Sequence, residues 1–258
     1  MTNDDNLNAC AALVQRGDPA RFAATMAAPI AARARLFPVY AFNIEVARAP
    51  WLTQEPMIAE MRLQWWRDAL DEIKRGGAVR RHEVVTPLSE VIDTQGAELL
   101  DRLIAARRWD IAKEPFEDAG HFEEHIQNTA GNLMLVAARS LGPVDEETVR
   151  DTAYAAGLAN WFIAIPALVA AGRIPLVDGR PAAVADLAQN ALNRLYRART
   201  NRAAISPAAC PALLTAWQAG PVLKQAMHLP SRVLDGTLGT SEFTRRSSLI
   251  ARALSGRW

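Results

Sequence analysis

The stretch Pro56-Met57-Ile58-Ala59-Glu60-Met61-Arg62-Leu63-Gln64-Trp65-Trp66-Arg67-Asp68-Ala69-Leu70-Asp71-Glu72-Ile73-Lys74-Arg75 sets the reading of the fold. Apolar Met57, Met61, Trp65, Ala69 and Ile73 recur every four residues, with Ile58, Arg62 and Trp66 beside them. Side chains four apart share a helix face. The stretch is therefore expected to be an amphipathic helix with a broad apolar side, stopped by Gly76-Gly77.

The same period runs outward in both directions, and β-branched runs bounded by turns are scarce. Leu88, Val91 and Ile92 predict a helix from Thr86-Pro87, and Leu99, Leu103 and Ala106 predict another up to Trp109. His121 to Leu141 reads as a long helix ended by Gly142-Pro143. Asp145-Glu146-Glu147 then loads the first turn of the next helix with acid, as the helix dipole favours. Ala153 to Gly172 carries no formal charge. Its length would span a bilayer, about 30 Å at 1.5 Å per residue. Its Ala and Gly content, Asn160 and the interrupting Pro166 instead predict a central helix buried by other helices. Ala182 to Arg202, with a basic last turn, and then Ala212 to Met227 and Phe243 to Leu254 complete the pattern. No linker or repeat divides the chain. One all-α domain over residues 1–258 is expected, with residues 1–10 disordered.

Composition narrows the function classes. Half of the residues are hydrophobic, 22% are charged and the net charge is +1. Such a balance gives no bulk argument for nucleic acid or for an anionic membrane. Cys10 and Cys210 are isolated thiols, neither a disulfide framework nor a metal site. His121 and His125 are four apart, but Gly120-His121-Phe122-Glu123-Glu124-His125 lacks the HExxH order. The start, Met1-Thr2-Asn3-Asp4-Asp5-Asn6, is acidic and polar, unlike a signal peptide or an Arg-rich presequence. A cytoplasmic, bacterial protein with no transmembrane span is expected, with the inner face of the membrane as a place of peripheral contact.

Three blocks carry a resemblance. The first is Asp18-Pro19-Ala20-Arg21-Phe22, then Pro29, Arg33 and Leu36-Phe37-Pro38-Val39-Tyr40-Ala41-Phe42-Asn43-Ile44-Glu45. The second is Arg62-Leu63-Gln64-Trp65-Trp66-Arg67-Asp68-Ala69-Leu70. The third is Asn128-Thr129-Ala130-Gly131-Asn132-Leu133-Met134, closed by Leu141-Gly142. In this order and spacing the chain resembles the squalene/phytoene synthase family from about Asp18 to Leu176. The resemblance implies an isoprenoid (terpenoid) synthase-like helical bundle around a central cavity. Members join two prenyl diphosphates head to head, with Mg²⁺ held between two aspartate-rich helices. Mg²⁺ needs hard oxygen ligands, and aspartates four apart sit on one helix face. Here the first pair of positions is Ala47 and Trp51, and the second wall, Gly157 to Ala171, holds no acid. Catalytic residues, metal ligands and cofactor are therefore expected to be absent. The alternative is an active Mg²⁺-dependent head-to-head prenyltransferase.

One branch of that family is similar to the mitochondrial complex I (NADH:ubiquinone oxidoreductase) assembly factor with a phytoene-synthase-like domain. Its Ala-Phe-Asn-(Val/Ile)-Glu and Met-Arg-(Met/Leu)-Gln-(Phe/Trp)-Trp signatures match Ala41 to Glu45 and Met61 to Trp66. Its acid-free, proline-interrupted helix matches Gly157 to Pro166. The resemblance implies a non-catalytic homologue whose partner is a respiratory-complex subunit or an isoprenoid or lipid ligand. Arg33, Tyr40, Asn43, Glu45, Arg62, Trp66, Trp161 and Phe162 are the residues expected to line the cavity. Glu45 is expected to pair with Arg33 or Arg62, or those arginines meet an anionic head group. Trp65, Trp66, Trp161 and Phe162 read most simply as core. Asp68, Asp71 and Glu72 read as a solvated face beside Arg67, Lys74 and Arg75, with a displaced metal motif as the alternative.

Overall fold

The computed structural model describes residues 3–258. The helices are, in chain order, Asn3–Gly17 (α1), Pro19–Met26 (α2), Ile30–Arg48 (α3), Pro56–Arg75 (α4), Val85–Ser89 (α5), Thr94–Ala106 (α6), Trp109–Ala112 (α7), Ala119–Ile126 (α8), Asn132–Leu141 (α9), Glu146–Ala170 (α10), Pro181–Thr200 (α11), Cys210–Leu213 (α12), Ala219–His228 (α13), Ser231–Leu234 (α14) and Glu242–Ser255 (α15). No β-strand occurs among the described residues; one isolated antiparallel bridge joins Val144 to Ile205. The helix starts follow from short acidic or hydroxyl side chains. Asp18, Asp93, Asp118, Asp145 and Ser241 each accept a bond from the backbone N–H three residues on. Gly76, at φ 68°, ends α4 in a conformation that a side chain would disfavour.

α10 runs through the middle, packed by α9, α11 and α13, while α3 packs on α1 and α9, and α4 on α6. By length and composition α10 could cross a bilayer. In the bundle its Val149, Ala153, Leu158, Phe162 and Ile165 are buried against other helices. The predicted helix from His121 to Leu141 is continuous but not uniform: α8 passes into α9 through a π turn at Gln127–Gly131. Gly157 of α10 lies against that turn. A Cβ there would stand 2.6 Å from the Ala130 Cβ, so the close approach of the two helices requires glycine.

Two expectations are corrected. Residues 1–10 were expected to be disordered. Met1 and Thr2 lie outside the described residues, but the chain is helical from Asn3, and Cys10, Leu13 and Val14 of that helix are buried on α3. The amphipathic pattern of α1 buries enough apolar surface to offset the entropy of ordering it. In α4, the row Met57, Met61 and Trp65 was expected to form part of the apolar face. The buried side is instead Ala59, Leu63, Trp66, Ala69 and Leu70, and Met57 and Met61 are 76% and 67% exposed. Apolar residues cover more of this helix than one neighbour can bury, and its contact with α6 selects one part of them.

Candidate functional site

Between α3 and α10 lies a cavity of about 420 Å³. α3 contributes Asn43 and Ala47, and the 3-10 turn Ala49–Trp51 that follows it contributes Trp51. These residues stand four apart, so they share one face. The opposite wall is Gly157, Asn160, Trp161, Ala164 and Leu168 of α10. Ile126, Thr129 and Leu133, around the π turn, close one side. The positions where the family resemblance calls for aspartates, 47 and 51, thus do face the acid-free part of α10 across one space.

The cavity's charges come from elsewhere. Asp18 caps α2 through the Arg21 amide at 2.8 Å and pairs with the Arg21 guanidinium at 2.9 Å. Arg107 lies 3.5 Å from Asp110, at the junction of α6 and α7. Burial pushes the Asp110 carboxyl above the usual carboxylate range, and Arg107 opposes that rise. Arg173, in the loop after α10, donates to the Asp110 carbonyl, and its guanidinium sits 5.2 Å from the centre of the Trp51 ring. Arg173 is 7% exposed, and its Nε and Nη1 have no hydrogen-bond partner among the described residues. Trp51, at a position where the family resemblance calls for an aspartate, thus stacks on a buried cation.

Mg²⁺ takes near-octahedral oxygen ligands and is usually held through carboxylates. Asp18 and Asp110 are the cavity's carboxylates among the described residues, and each is tied to an arginine. No three His, Cys, Asp or Glu side chains gather as a ligand set among the described residues. The donor set does not fit Mg²⁺.

Two of the eight residues expected at the cavity line it, Asn43 and Trp161. Trp161 donates from Nε1 to the Pro175 carbonyl at 2.9 Å, which fixes its ring. Tyr40 points the same way as Asn43, but Arg21 lies over its ring at 5.2 Å and takes the cavity position. Phe162, one residue round α10 from Trp161, turns into the core and is fully buried. Arg33 donates to the Ala28 carbonyl at 2.8 Å. Glu45, two residues past Asn43, points about 200° away at 100° per residue. With Arg62 and Trp66 it lines a separate groove of about 470 Å³ between α3 and α4. Glu45 pairs with Arg48 at 2.6 Å, not with Arg33 or Arg62, because Arg48 is one turn along the same helix.

The other sequence candidates also find their places. Asp68 accepts from Gln64 at 2.7 Å, Asp71 pairs with Lys74 at 2.5 Å and Glu72 with Arg80 at 2.8 Å. His125 is buried among Trp109, Phe116 and Trp161, at 5.7, 5.3 and 5.1 Å between ring centres. Burial, with Arg107 and His121 adding to it, drives its pKa down to about 3. Arg107, Asp110 and Arg173 were not singled out from sequence. Nothing in their local pattern marks them, because their meeting depends on α7 and the loop after α10 coming together.

Comparison with known proteins bears on the fold and the family. A dehydrosqualene synthase, crystallised in complex with a ligand, has a similar fold. The TM-score is 0.78 at 15% identity, covering 98% of this chain and 96% of that one. The fold is thus an all-α, terpenoid-synthase-like bundle. A Drosophila melanogaster protein named NADH dehydrogenase (ubiquinone) complex I, assembly factor 6 homolog is 29% identical over 166 residues. That match takes in 61% of this chain and 50% of the fly protein. The Bos taurus assembly factor 6 is 24% identical over 149 residues, 53% of this chain and 41% of its own length. The chain thus spans half or less of these relatives. The sequence pattern of squalene/phytoene synthase matches residues 14–165, more than half of the sequence, and the chain belongs to the squalene/phytoene synthase family.

Proposed function

We propose that this chain is a non-catalytic squalene/phytoene synthase homologue that assists assembly of a respiratory complex, NADH:quinone oxidoreductase. It acts in the bacterial cytoplasm, at the inner face of the membrane. One observation carries the reading. Ala47 and Trp51 on one cavity wall, and Gly157, Asn160, Ala164 and Leu168 on the other, include no carboxylate. Metal-assisted loss of diphosphate needs ligands on those walls, and a metal's charge stabilisation is worth several kcal/mol of barrier. The reading therefore includes no Mg²⁺ and no other cofactor. Likeness to proteins named for complex I assembly supports the client.

A second reading is that the cavity holds a lipid or isoprenoid and the chain serves as its scaffold. Its volume of about 420 Å³, with Ile126, Leu133, Trp161 and Leu168 beside Arg21 and Arg107, favours an apolar molecule with an anionic end.

The test is incubation of the purified protein with Mg²⁺ and farnesyl or geranylgeranyl diphosphate. No diphosphate release is expected, and turnover would sink the non-catalytic reading. A deletion strain should lose NADH:quinone activity. A normal level of the complex there would remove the assembly role.

A further inference from the structure

One side of α4 carries large apolar side chains that nothing covers among the described residues. Ile58, Met61, Arg62 and Trp65 follow the spacing i, i+3, i+4, i+7 and fall within about 100° of the helix circumference. With Leu52 they line the groove of about 470 Å³ between α3 and α4. Leu52, Ile58, Met61 and Trp65 are 53%, 44%, 67% and 37% exposed. The floor of the groove is already built. The Trp65 ring stands edge-on to Trp66 at 4.8 Å, and Trp66 edge-on to the buried Phe42 at 5.4 Å. His82 lies 5.1 Å from Trp65, and the Arg80 guanidinium, paired with Glu72 at 2.8 Å, lies over the Trp65 ring at 4.7 Å. A wall fixed in this way loses little freedom when the groove is filled.

Charge and shape identify the occupant. Glu45 is paired with Arg48, and Arg80 with Glu72, while the Arg62 guanidinium has no partner among the described residues. One unpaired cation set among apolar side chains is complemented by one carboxylate set in the same way. Residues 45–65 hold Glu45, Glu55 and Glu60 against Arg48 and Arg62, so no cationic excess favours an anionic bilayer. The surface is a hollow, which suits an inserted helix better than a flat membrane. Two copies packed stripe to stripe about its centre would set Arg62 against Arg62. Tryptophan, methionine and arginine are also the residues that concentrate at the centres of protein interfaces.

We propose that the groove between α3 and α4 is a docking site for an amphipathic helix of another protein, with apolar side chains laid against Leu52, Ile58, Met61 and Trp65 and one carboxylate placed on Arg62. The stripe from Ile58 to Trp65 is about 10 Å long, so it holds about two turns of the partner helix. The proposal stands on the groove alone and apart from the assembly reading: a chain with another client, or with prenyltransferase activity, would bind in the same way.

Selection from a displayed library of helical peptides tests it, with the full chain as bait and Met61→Asp as counter-bait. The enriched peptides should carry apolar side chains at i, i+3 or i+4, and i+7, with one Asp or Glu among them. The most enriched peptide, made synthetically, should bind Met61→Asp and Arg62→Glu roughly tenfold more weakly than the native chain. Lys in place of its acid should weaken binding to the native chain and restore binding to Arg62→Glu. Both substituted side chains are exposed, so the melting curves should be unchanged. No enrichment overturns the proposal, as does enrichment of peptides that are basic, lack an acid or bind Met61→Asp equally well. Dimers of the full chain that Met61→Asp dissolves overturn it in favour of a second copy. Binding to phosphatidylglycerol vesicles that Met61→Asp abolishes overturns it in favour of the membrane.

Discussion

The two hollows on either side of α3 are close in size and opposite in character. The cavity towards α10, about 420 Å³, is ringed by arginine–carboxylate pairs and ends on Trp51 against Arg173. The groove towards α4, about 470 Å³, is open and lined by Leu52, Ile58, Met61 and Trp65, with the Glu45–Arg48 pair supplied by α3 itself. One helix thus presents two chemistries, because successive residues rotate by about 100°. Asn43 and Ala47 belong to the first hollow, Glu45 to the second. The difference teaches that a motif read along the chain mixes two sites that the helix separates. The cavity face and the apolar groove are interleaved within residues 43–52.

The largest expected effect that would break this contrast is at Trp161. Its ring is buried against Trp109, Phe116, Phe122 and His125, and its Nε1 is bonded to Pro175. Trp161→Ala should cost about 3–5 kcal/mol in chemical denaturation. A loss like that of a surface substitution would mean that the cavity wall is not part of the core.

A second, pH-dependent effect sharpens the same side. His125 is held neutral in the fold, with a pKa of about 3 against an ordinary 6.5. A depressed folded pKa gives stability that is fully present above about pH 6.5 and is lost as pH falls towards 3. His125→Phe should flatten that acid-side decline in unfolding free energy measured across pH. An unchanged slope would show that His125 takes up its proton without unfolding.

The smallest effects belong to the groove. Met61→Ser should change stability by less than about 0.5 kcal/mol, since the side chain is 67% exposed. Glu45→Gln should cost about 0–1 kcal/mol, the usual worth of a partly exposed ion pair. A cost above about 2 kcal/mol at Met61 would place it in the core and collapse the contrast.

Much of the fold was legible because helical periodicity and end signals are local. Gly76, Gly142 and Asp145 mark their helix ends in the structure as in the sequence. The choice among apolar faces was not local. Met57 and Met61 of α4 satisfy the same period as Leu63 and Leu70, and only the placing of α6 and of the segments around α3 and α7 separates exposed from buried. The site was half legible in the same sense. Ala47, Trp51 and the acid-free stretch of α10 from Gly157 onward could be compared with a known pattern position by position. Arg107, Asp110 and Arg173 could not, since Arg107 and Asp110 are a local pair with no distinguishing pattern and Arg173 reaches them from a segment some sixty residues on.

By itself, then, the sequence determined an all-helical chain, several of its breaks, and the missing carboxylates at 47, 51 and from Gly157 onward in α10, because each follows from residue type at a fixed spacing. The tertiary structure alone decided that Arg21 covers Tyr40, that Arg173 stacks on Trp51, and that Glu45 turns away from the cavity. Those outcomes depend on which helix faces meet, and the free energy that selects them is burial and pairing between segments far apart in the chain.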